Sequence, residues 1–214
     1  MSVRLSHYRH ILWDWNGTLI NDVPQCVSVL NEMRRRRGMA PISLEKYRRL
    51  LTFPVRRFYE QLGFDFASEA YERVADEYIA GYDKHWPLCP LQPGARDAVS
   101  LIAKARIGQS VLSAYQQQRL EEAVRYFGLS EFFDRLVGLD DHYAHGKQES
   151  GRDTMRQLGL AGHEVLFIGD TMHDWEVAQA IGADCVLFSC GHQDKERLES
   201  CGVTVVDSLG DLTV

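Results

Sequence analysis

The ten residues His10-Ile11-Leu12-Trp13-Asp14-Trp15-Asn16-Gly17-Thr18-Leu19 decide the fold of this chain. The apolar run from Ile11 to Trp13 is bounded by a turn signal, which predicts a short buried strand. Asp14 then lies at the carboxyl end of that strand, where open α/β sheets bind their ligands. The stretch therefore delivers one carboxylate to a turn, and we expect the rest of the chain to supply its partners.

The composition is that of an ordinary soluble protein. The 214 residues are 45% hydrophobic and 25% charged, and this length suffices for one α/β domain with an insertion. The net charge of −6 argues against a general affinity for nucleic acid or for an anionic membrane, and it suits a protein that binds a metal cation. We therefore expect neither nucleic acid nor a membrane as a partner.

Cysteine usage and the N-terminal residues favour the cytoplasm. The five cysteines are widely spaced and form neither a CxxC pair nor a zinc-finger pattern with histidine, so we expect reduced, mainly structural thiols. The chain has no long apolar signal-peptide core and no run near the roughly 18 residues that span a bilayer. We expect a cytoplasmic protein, and the sequence leaves its oligomeric state open.

A long helical region follows the first strand. Asp22 and Pro24 are typical of a helix start, and apolar residues then recur at helical spacing without β-like alternation. About seventy residues of this pattern are too many for one crossover connection, so we predict a helical cap inserted at residues 20–90. The α/β core is then formed by residues 1–19 and 91–214.

Alternating strands and helices return after this region and predict a Rossmann-like core. We expect strands at 109–113, 135–139, 164–169, 184–188 and 203–206, and helices at 95–105, 116–127, 151–159, 173–181 and 194–201. Repeated βα units form a parallel sheet with helices on both faces. The predicted fold class is therefore α/β, a doubly wound parallel sheet with an inserted helical cap.

Several polar side chains follow predicted strands and are expected to meet at one edge of the sheet. They are Asp14, Ser113, Lys147 and Asp170, with Asp174 four residues further on. Three carboxylates beside a phosphate repel one another without a cation, and Mg²⁺ takes oxygen ligands while holding a phosphate oxygen. Lys147 supplies a point charge for the phosphate. The pattern predicts a magnesium-dependent phosphate site.

These motifs, in this order and spacing, resemble the haloacid dehalogenase superfamily of phosphohydrolases. The resemblance rests on Asp14 to Leu19, Ser113, Lys147 and Gly169 to Asp174, and it spans nearly the whole chain. The helical insertion is similar to the cap of the phosphoglycolate phosphatase and β-phosphoglucomutase group. The resemblance implies Mg²⁺ as the cofactor and a small phosphorylated metabolite as the substrate.

The resemblance also implies roles residue by residue. Asp14 would attack phosphorus and form an aspartyl-phosphate. Mg²⁺ would be held by Asp14, the backbone carbonyl of Asn16 and Asp170, with Asp174 binding directly or through water. The transferring phosphoryl group would be bound by Thr18, Ser113 and Lys147.

Asn16 departs from the family pattern, which has an acid–base Asp two residues after the nucleophile. A neutral amide neither protonates a leaving group nor activates water, and such help is typically worth about 10²–10⁴ in rate. Either the substrate has a good leaving group, or another residue supplies the proton, or turnover has been given up, or the amide deamidates. Candidate proton donors are His142, His145 and His173. Ala114 is a second departure, because many relatives have Asn there and one polar contact is lost.

Three functions are consistent with this pattern. The first is a magnesium-dependent, phosphoglycolate phosphatase-like enzyme that is slowed by Asn16. The second is a phosphoryl-binding regulatory protein that keeps the phosphate site without the acid. The third is phosphonate cleavage, for which relatives use an imine-forming cap lysine; Lys46 is the nearest candidate, and Arg56 lies closer to the expected position. Under the first function, Arg56 is a candidate to bind an anionic substrate tail.

Overall fold

The computed structural model describes residues 2–139 and 146–214, and this part of the chain contains the predicted α/β core. The strands are β1 (Val3–Arg4), β2 (His10–Trp13), β3 (Gly108–Gln116), β4 (Arg135–Leu139), β5 (Val165–Gly169), β6 (Asp184–Phe188), β7 (Thr204–Val206) and β8 (Leu212–Thr213). The α-helices are α1 (Val23–Arg36), α2 (Leu44–Leu50), α3 (Val55–Gln61), α4 (Tyr71–His85), α5 (Ala95–Lys104), α6 (Gln117–Tyr126), α7 (Lys147–Leu158), α8 (Met172–Ile181) and α9 (Lys195–Glu199). Among the described residues, no helix combines the length and the apolar character needed to cross a bilayer.

Six strands form one parallel sheet in the order β4-β3-β2-β5-β6-β7. Strand β2 lies between β3 and β5, with Trp13 opposite Val111 on one side and Ile168 on the other. The chain builds outward from β2 to β4 and then in the opposite direction from β5 to β7. A reversal of this kind opens a crevice at the carboxyl ends of the strands. Asp14 follows β2 and Asp170 follows β5, so both lie at this switch point.

Strand β2 is buried along its whole length, as expected for a central strand that is covered on both faces. Leu12 packs with Phe167 in one apolar cluster, while Ile11 and Trp13 belong to a second and larger cluster. The indole Nε1 of Trp13 donates a hydrogen bond to Gln109 Oε1 at 3.0 Å, so its polar atom is satisfied inside the core. Alternate residues of β2 pack into the apolar clusters on the two faces of the sheet. The strand that carries Asp14 is therefore held from both faces.

Helices α1 to α4, here called the cap, lie between β2 and β3 in the chain. Helix α1 packs against α4 and α2. The larger apolar cluster contains Val23 and Tyr82 from the cap together with Ile168 from β5. The cap therefore shares its apolar core with the sheet. The cap boundaries at residues 20 and 90 stay a prediction.

The loop of residues 190–193 after β6, here called the latch loop, ties the core to the end of α2. The hydroxyl of Tyr47 lies 2.8 Å from Nδ1 of His192. Nε2 of Gln193 donates to the carbonyl oxygen of Leu51 at 2.9 Å. These contacts hold the cap over the carboxyl ends of the strands.

Several element boundaries differ from the predicted ones. Helix α7 begins at Lys147 rather than at residue 151, and β3 continues to Gln116 rather than ending at residue 113. Strands β1 and β8 pair in a separate two-stranded parallel sheet that was not predicted, because two residues are too few for a periodic signal. Asp22 immediately precedes α1, as expected of a helix start, but its side chain makes no capping hydrogen bond.

His10, the first residue of β2, makes the stability of the fold depend on pH. Its side chain is 3% exposed, and Nε2 lies 2.9 Å from Oγ of Ser110. Burial lowers the pKa of His10 from 6.5 to about 4, and Asp134 opposes this shift. The unfolded chain therefore binds a proton at His10 at a pH where the folded protein does not. The stability that depends on the neutral ring is complete above pH 6.5 and is lost as the pH falls toward 4.

We predict that acidification to about pH 5 removes about 2 kcal/mol of unfolding free energy through His10 alone. Urea unfolding of the wild type and of His10→Gln at about pH 7.5 and about pH 5 measures this contribution. Gln retains a polar group for Ser110 but does not titrate, so the decrease should be smaller by about 2 kcal/mol in the variant. Equal decreases in the two proteins would contradict the prediction.

Candidate active site

Three buried carboxylates come together at the carboxyl ends of β2 and β5. Asp14, Asp170 and Asp174 are 6%, 0% and 2% exposed, and each offers an oxygen within 4.8 Å of the others. Asp14 and Asp170 follow adjacent strands, and Asp174 lies in the first turn of α8, so the structure brings together the three carboxylates that the sequence singles out. A buried set of hard oxygen donors with excess negative charge fits a divalent cation.

Asp174 is held by the start of its own helix. Its Oδ2 accepts hydrogen bonds from the hydroxyl of Thr171 at 2.7 Å and from the backbone N–H groups of Thr171 and Asp170 at 2.9 and 3.1 Å. Gly169 is required beside it, because a Cβ there would lie 2.4 Å from the Cβ of Asp174. Oδ1 of Asp174 is thereby directed to Lys147, from which it accepts a hydrogen bond at 2.6 Å.

Lys147 supplies the positive charge among these carboxylates. Its Nζ donates to Oδ1 of Asp14 at 2.5 Å and lies 5.2 Å from the ring centre of Phe167. Burial disfavours the charged lysine, but Asp14 and Asp174 raise its pKa above the ordinary value. Burial raises the pKa of Asp14; Lys147 opposes this, and the charges of Asp174 and Asp170 add to it. One ammonium against three carboxylates leaves an excess of negative charge.

Asp170 is enclosed by side-chain and backbone groups. Its Oδ1 accepts a hydrogen bond from the hydroxyl of Thr18 at 2.8 Å, and its Oδ2 accepts one from the backbone N–H of His192 at 2.6 Å. A Cβ on Gly17 would lie 2.3 Å from Oδ2, and a Cβ on Gly191 would lie 2.1 Å from it. The predicted role of Thr18 is to bind the phosphoryl group, whereas in this structure its hydroxyl orients Asp170.

The amide of Asn16 is fixed by a carboxylate that sequence reasoning missed. Nδ2 of Asn16 donates to Oδ2 of Asp22 at 2.8 Å and to the hydroxyl oxygen of Tyr82 at 2.7 Å. Asp22 also accepts from the Tyr82 hydroxyl at 2.7 Å and from the backbone N–H of Gly17 at 2.9 Å. Because a carboxylate only accepts hydrogen bonds, Asn16 must present its NH₂ group to Asp22. Both amide hydrogens are therefore engaged.

His192 lies beside Asp22 and was also missed. Its Nε2 is 3.2 Å from Oδ1 of Asp22. Burial disfavours the charged ring, but the carboxylate of Asp22 raises the pKa of His192 to about 9. The strand-end rule, if applied to β6, finds this histidine in the loop that follows. The sequence gives no comparable signal for Asp22. A helix start has the same sequence pattern whether its carboxylate caps the helix or points toward a functional site.

Beside the carboxylates lies a cavity of about 240 Å³. It is lined by most of the predicted site residues, namely Asp14, Asn16, Ser113, Ala114, Lys147, His173 and Asp174. Oγ of Ser113 accepts a hydrogen bond from the backbone N–H of Tyr115 at 3.2 Å. The cavity therefore joins the predicted nucleophile, two of the predicted phosphate ligands, Ser113 and Lys147, and the cap.

Two cap residues that the sequence proposes as substrate contacts lie elsewhere. The guanidinium of Arg56 lies 5.1 Å from the ring centre of Phe66 and pairs with Glu60 at 3.2 Å. Lys46 is exposed on α2. Neither residue is among the described residues that line the cavity. The structure thus does not bring Arg56 or Lys46 to the carboxylates.

Of the three candidate histidines, His173 lines the cavity, whereas His142 and His145 lie outside the described residues. The ring of His173 packs on Phe53 with centroids 4.9 Å apart, and its Nδ1 lies 3.3 Å from a carboxylate oxygen of Glu176. His173 is therefore placed at the cap side of the cavity by an aromatic contact.

Comparison with known proteins agrees with this fold. A family profile described as "Haloacid dehalogenase-like hydrolase" matches residues 11–188. The phosphoglycolate phosphatase of Chromobacterium violaceum is 21% identical over 205 residues, which cover 92% of this chain and 91% of the relative. The phosphoglycolate phosphatase of Synechococcus elongatus is 24% identical, with 94% of each chain covered.

Solved structures are similar over the same length. A haloacid dehalogenase-like family protein from Streptococcus pneumoniae has a TM-score of 0.81 at 17% identity, with 96% of this chain and 97% of that chain covered. A predicted phosphoglycolate phosphatase from Haemophilus somnus has a TM-score of 0.78 at 15% identity, with 96% of both chains covered. At these identities, the likeness establishes the fold.

The close approach at Gly17 predicts that Gly17→Ala weakens cation binding. Gly17 and Gly38 have φ values of +79° and +68°, so alanine at either position costs about 1–2 kcal/mol of backbone strain. Of the two positions, only Gly17 brings the new Cβ against side chains, those of Asp170 and His192. Calorimetric titration with Mg²⁺ should show an affinity about 10–100-fold lower for Gly17→Ala than for Gly38→Ala, as for other lost ligand supports. Equal affinities in the two variants would refute this.

Proposed function

This chain belongs to the haloacid dehalogenase-like hydrolases, and from that premise we propose that it is a Mg²⁺-dependent phosphatase acting on a small phosphorylated metabolite. The observation that carries the proposal is the placement of Asp14, a buried carboxylate at the switch point of the sheet, 2.5 Å from Lys147 and adjoining a cavity. The names of the phosphoglycolate phosphatase relatives support the same reaction class.

Asp14 is the proposed nucleophile. One of its oxygens attacks phosphorus while the bond from phosphorus to the leaving oxygen breaks and the electron pair departs with that oxygen. Water then attacks phosphorus, the bond to Asp14 breaks, and the carboxylate is regenerated while the proton of the water leaves with phosphate. Lys147 and the hydroxyl of Ser113 are the groups that would hold the phosphoryl oxygens.

The proposed Mg²⁺ ligands are Asp14, Asp170, Asp174 and the backbone carbonyl of Asn16. Mg²⁺, when bound, neutralises the charge on the phosphoryl oxygens during transfer. Neighbouring groups hold two of these ligands in place: the hydroxyl of Thr18 and the backbone N–H of His192 bond to Asp170, and the hydroxyl of Thr171 bonds to Asp174.

Asn16 sets the limit of the proposed activity. Its amide has no acidic proton, and both of its N–H groups already bond to Asp22 and Tyr82. A leaving group that needs a proton therefore gains no help from position 16. We accordingly propose slow turnover of alkyl phosphates, whose alkoxide leaving groups are poor.

We predict that Asp14→Asn lowers phosphate release from acetyl phosphate by at least about a thousandfold, as expected for loss of a nucleophile. Asp153→Asn is the matched control, because Asp153 lies on the exposed surface of α7 and pairs only locally with Arg156. Acid-quenched mass analysis of the wild type should find phosphate on Asp14. Phosphate release that persists in Asp14→Asn would exclude the aspartyl-phosphate route.

A second prediction exchanges the carboxylate and amide of the Asn16–Asp22 pair. Asn16→Asp alone places two carboxylates side by side, at atoms now 2.8 Å apart, and should be destabilised by their repulsion. The double variant Asn16→Asp/Asp22→Asn keeps one carboxylate and one amide, and it places an acid beside the leaving group. We expect it to turn over benzyl phosphate faster than the wild type by about 10²–10⁴.

Asp22→Asn alone is the control for the exchange and should show no gain. An exchange variant no faster than this control would contradict the explanation based on Asn16. The phosphoryl-binding regulatory function would be favoured by a different pair of results. In that case the wild type binds phosphate with Mg²⁺ but releases none from any substrate, while the exchange variant is active.

A further inference from the structure

We infer that the cavity selects aryl phosphates, that is, phosphate esters of a neutral phenol about one ring in size. This inference rests on the proposed phosphatase function and specifies its substrate class. It differs from the substrate after which the relatives are named, since phosphoglycolate carries a second anionic group in place of a ring. Three features of the cavity support the inference. They are its apolar wall, its paired charges and the Asn16 amide, whose two hydrogens are already hydrogen-bonded.

The cap contributes an apolar wall to the cavity. The residues of this wall are Leu51, Phe53, Val55, Tyr78 and Ile79 from the cap, together with Tyr115 from β3. A cavity of about 150 Å³ with apolar walls is sufficient to bind benzene. The volume here is about 240 Å³, which leaves room for a phosphoryl group beside one ring.

Tyr78 and Tyr115 of this wall are connected by ring contacts through Tyr82, which also lines the cavity. The rings of Tyr78 and Tyr82 are stacked with centroids 6.3 Å apart, and Tyr82 meets Tyr115 edge to face at 5.8 Å. Aromatic rings prefer offset-stacked and edge-to-face neighbours. A phenyl ring that enters the cavity could therefore make contacts of the same two kinds with these tyrosine rings.

Charges in the cavity are already paired. Lys147 lies between Asp14 and Asp174, and Arg119 pairs with Asp83. The two histidines of the lining have carboxylate neighbours as well, Asp22 for one and Glu176 for the other. Among the described residues that line the cavity, no lysine, arginine or histidine lacks an acidic partner. A carboxylate on the leaving group would therefore find each basic side chain of the described lining already engaged by an acidic one.

The chemistry at position 16 favours the same class of substrate. Both amide hydrogens of Asn16 are engaged, so the leaving oxygen must depart without a proton from this residue. A phenol has a pKa of about 10, far below that of an alcohol, and so its anion leaves without an acid. The bond from phosphorus to the aryl oxygen breaks as Asp14 attacks, and the phenolate then takes a proton from solvent. The apolar wall and the missing acid thus independently favour a phosphorylated phenol.

Four phosphates test the inference on wild-type protein with Mg²⁺. Phenyl phosphate has the ring and the good leaving group, benzyl phosphate has only the ring, acetyl phosphate has only the leaving group, and phosphoglycolate has neither. We expect kcat/KM to be highest for phenyl phosphate and at least about a hundredfold above that for phosphoglycolate, because even single apolar contacts discriminate by about 10–200-fold. Phosphoglycolate turnover at or above that of phenyl phosphate would overturn the inference.

Failure of the proposed function has a different signature. If acetyl phosphate and the other three compounds all release no phosphate, the phosphatase proposal fails, and binding then decides the preference of the cavity. Phenylphosphonate and phosphonoacetate mimic the two competing classes without reacting. Calorimetry should show tighter binding of phenylphosphonate, and tighter binding of phosphonoacetate would overturn the inference.

A charge placed in the apolar wall provides a second test. Ile79→Lys introduces a cation inside the cavity, whereas Ala80→Lys places the same charge on the exposed face of α4. We expect Ile79→Lys to raise KM for phenyl phosphate and to lower KM for phosphoglycolate, each by at least about tenfold. Ala80→Lys should leave both values unchanged. If the two variants behave alike, the wall does not select the ring; Val55→Lys repeats the test should Ile79→Lys fail to fold.

Discussion

Three buried carboxylates converge at one point of this protein with a single ammonium bound to two of them, and this imbalance of buried charge is the constraint on which the rest of the structure depends. Removing charges from water is costly unless each is paired or hydrogen-bonded. The fold meets the constraint with parallel strands: β2 and β5 end side by side, and the first turn of α8 brings a third carboxylate to the same point. Hydroxyl and backbone N–H groups then satisfy individual oxygens of Asp170 and Asp174.

A second layer of polar groups surrounds position 16. Asp22, which the sequence presents as a helix start, carries negative charge on the far side of the Asn16 amide and is balanced by His192. The site therefore contains several carboxylates. The side chain two residues after the predicted nucleophile, however, is the hydrogen-bonded amide of Asn16. Charge compensation and proton supply are separate properties: His192 compensates the charge of Asp22 beside Asn16, but Asn16 has no acidic proton to supply.

The sequence predicts those features that follow from topology alone. Asp14, Asp170 and Asp174 are found because parallel strands end at one edge, whatever the side chains around them are. Contacts that depend on side-chain direction escape such reasoning. Asp22 has the sequence pattern of a helix cap. Arg56 lies where a substrate ligand is expected from the sequence, but its guanidinium lies over the rings of Phe66 and Tyr71. Only three-dimensional packing distinguishes these alternatives.

The latch loop has a consequence for how the two halves of the protein communicate. His192 donates its backbone N–H to Asp170 and meets Tyr47 of the cap through its ring. One residue thus joins α2 to a carboxylate of the proposed cation site. If a displacement of α2 changed the affinity of that site for a cation, bound cation would shift the position of α2 by the same free energy.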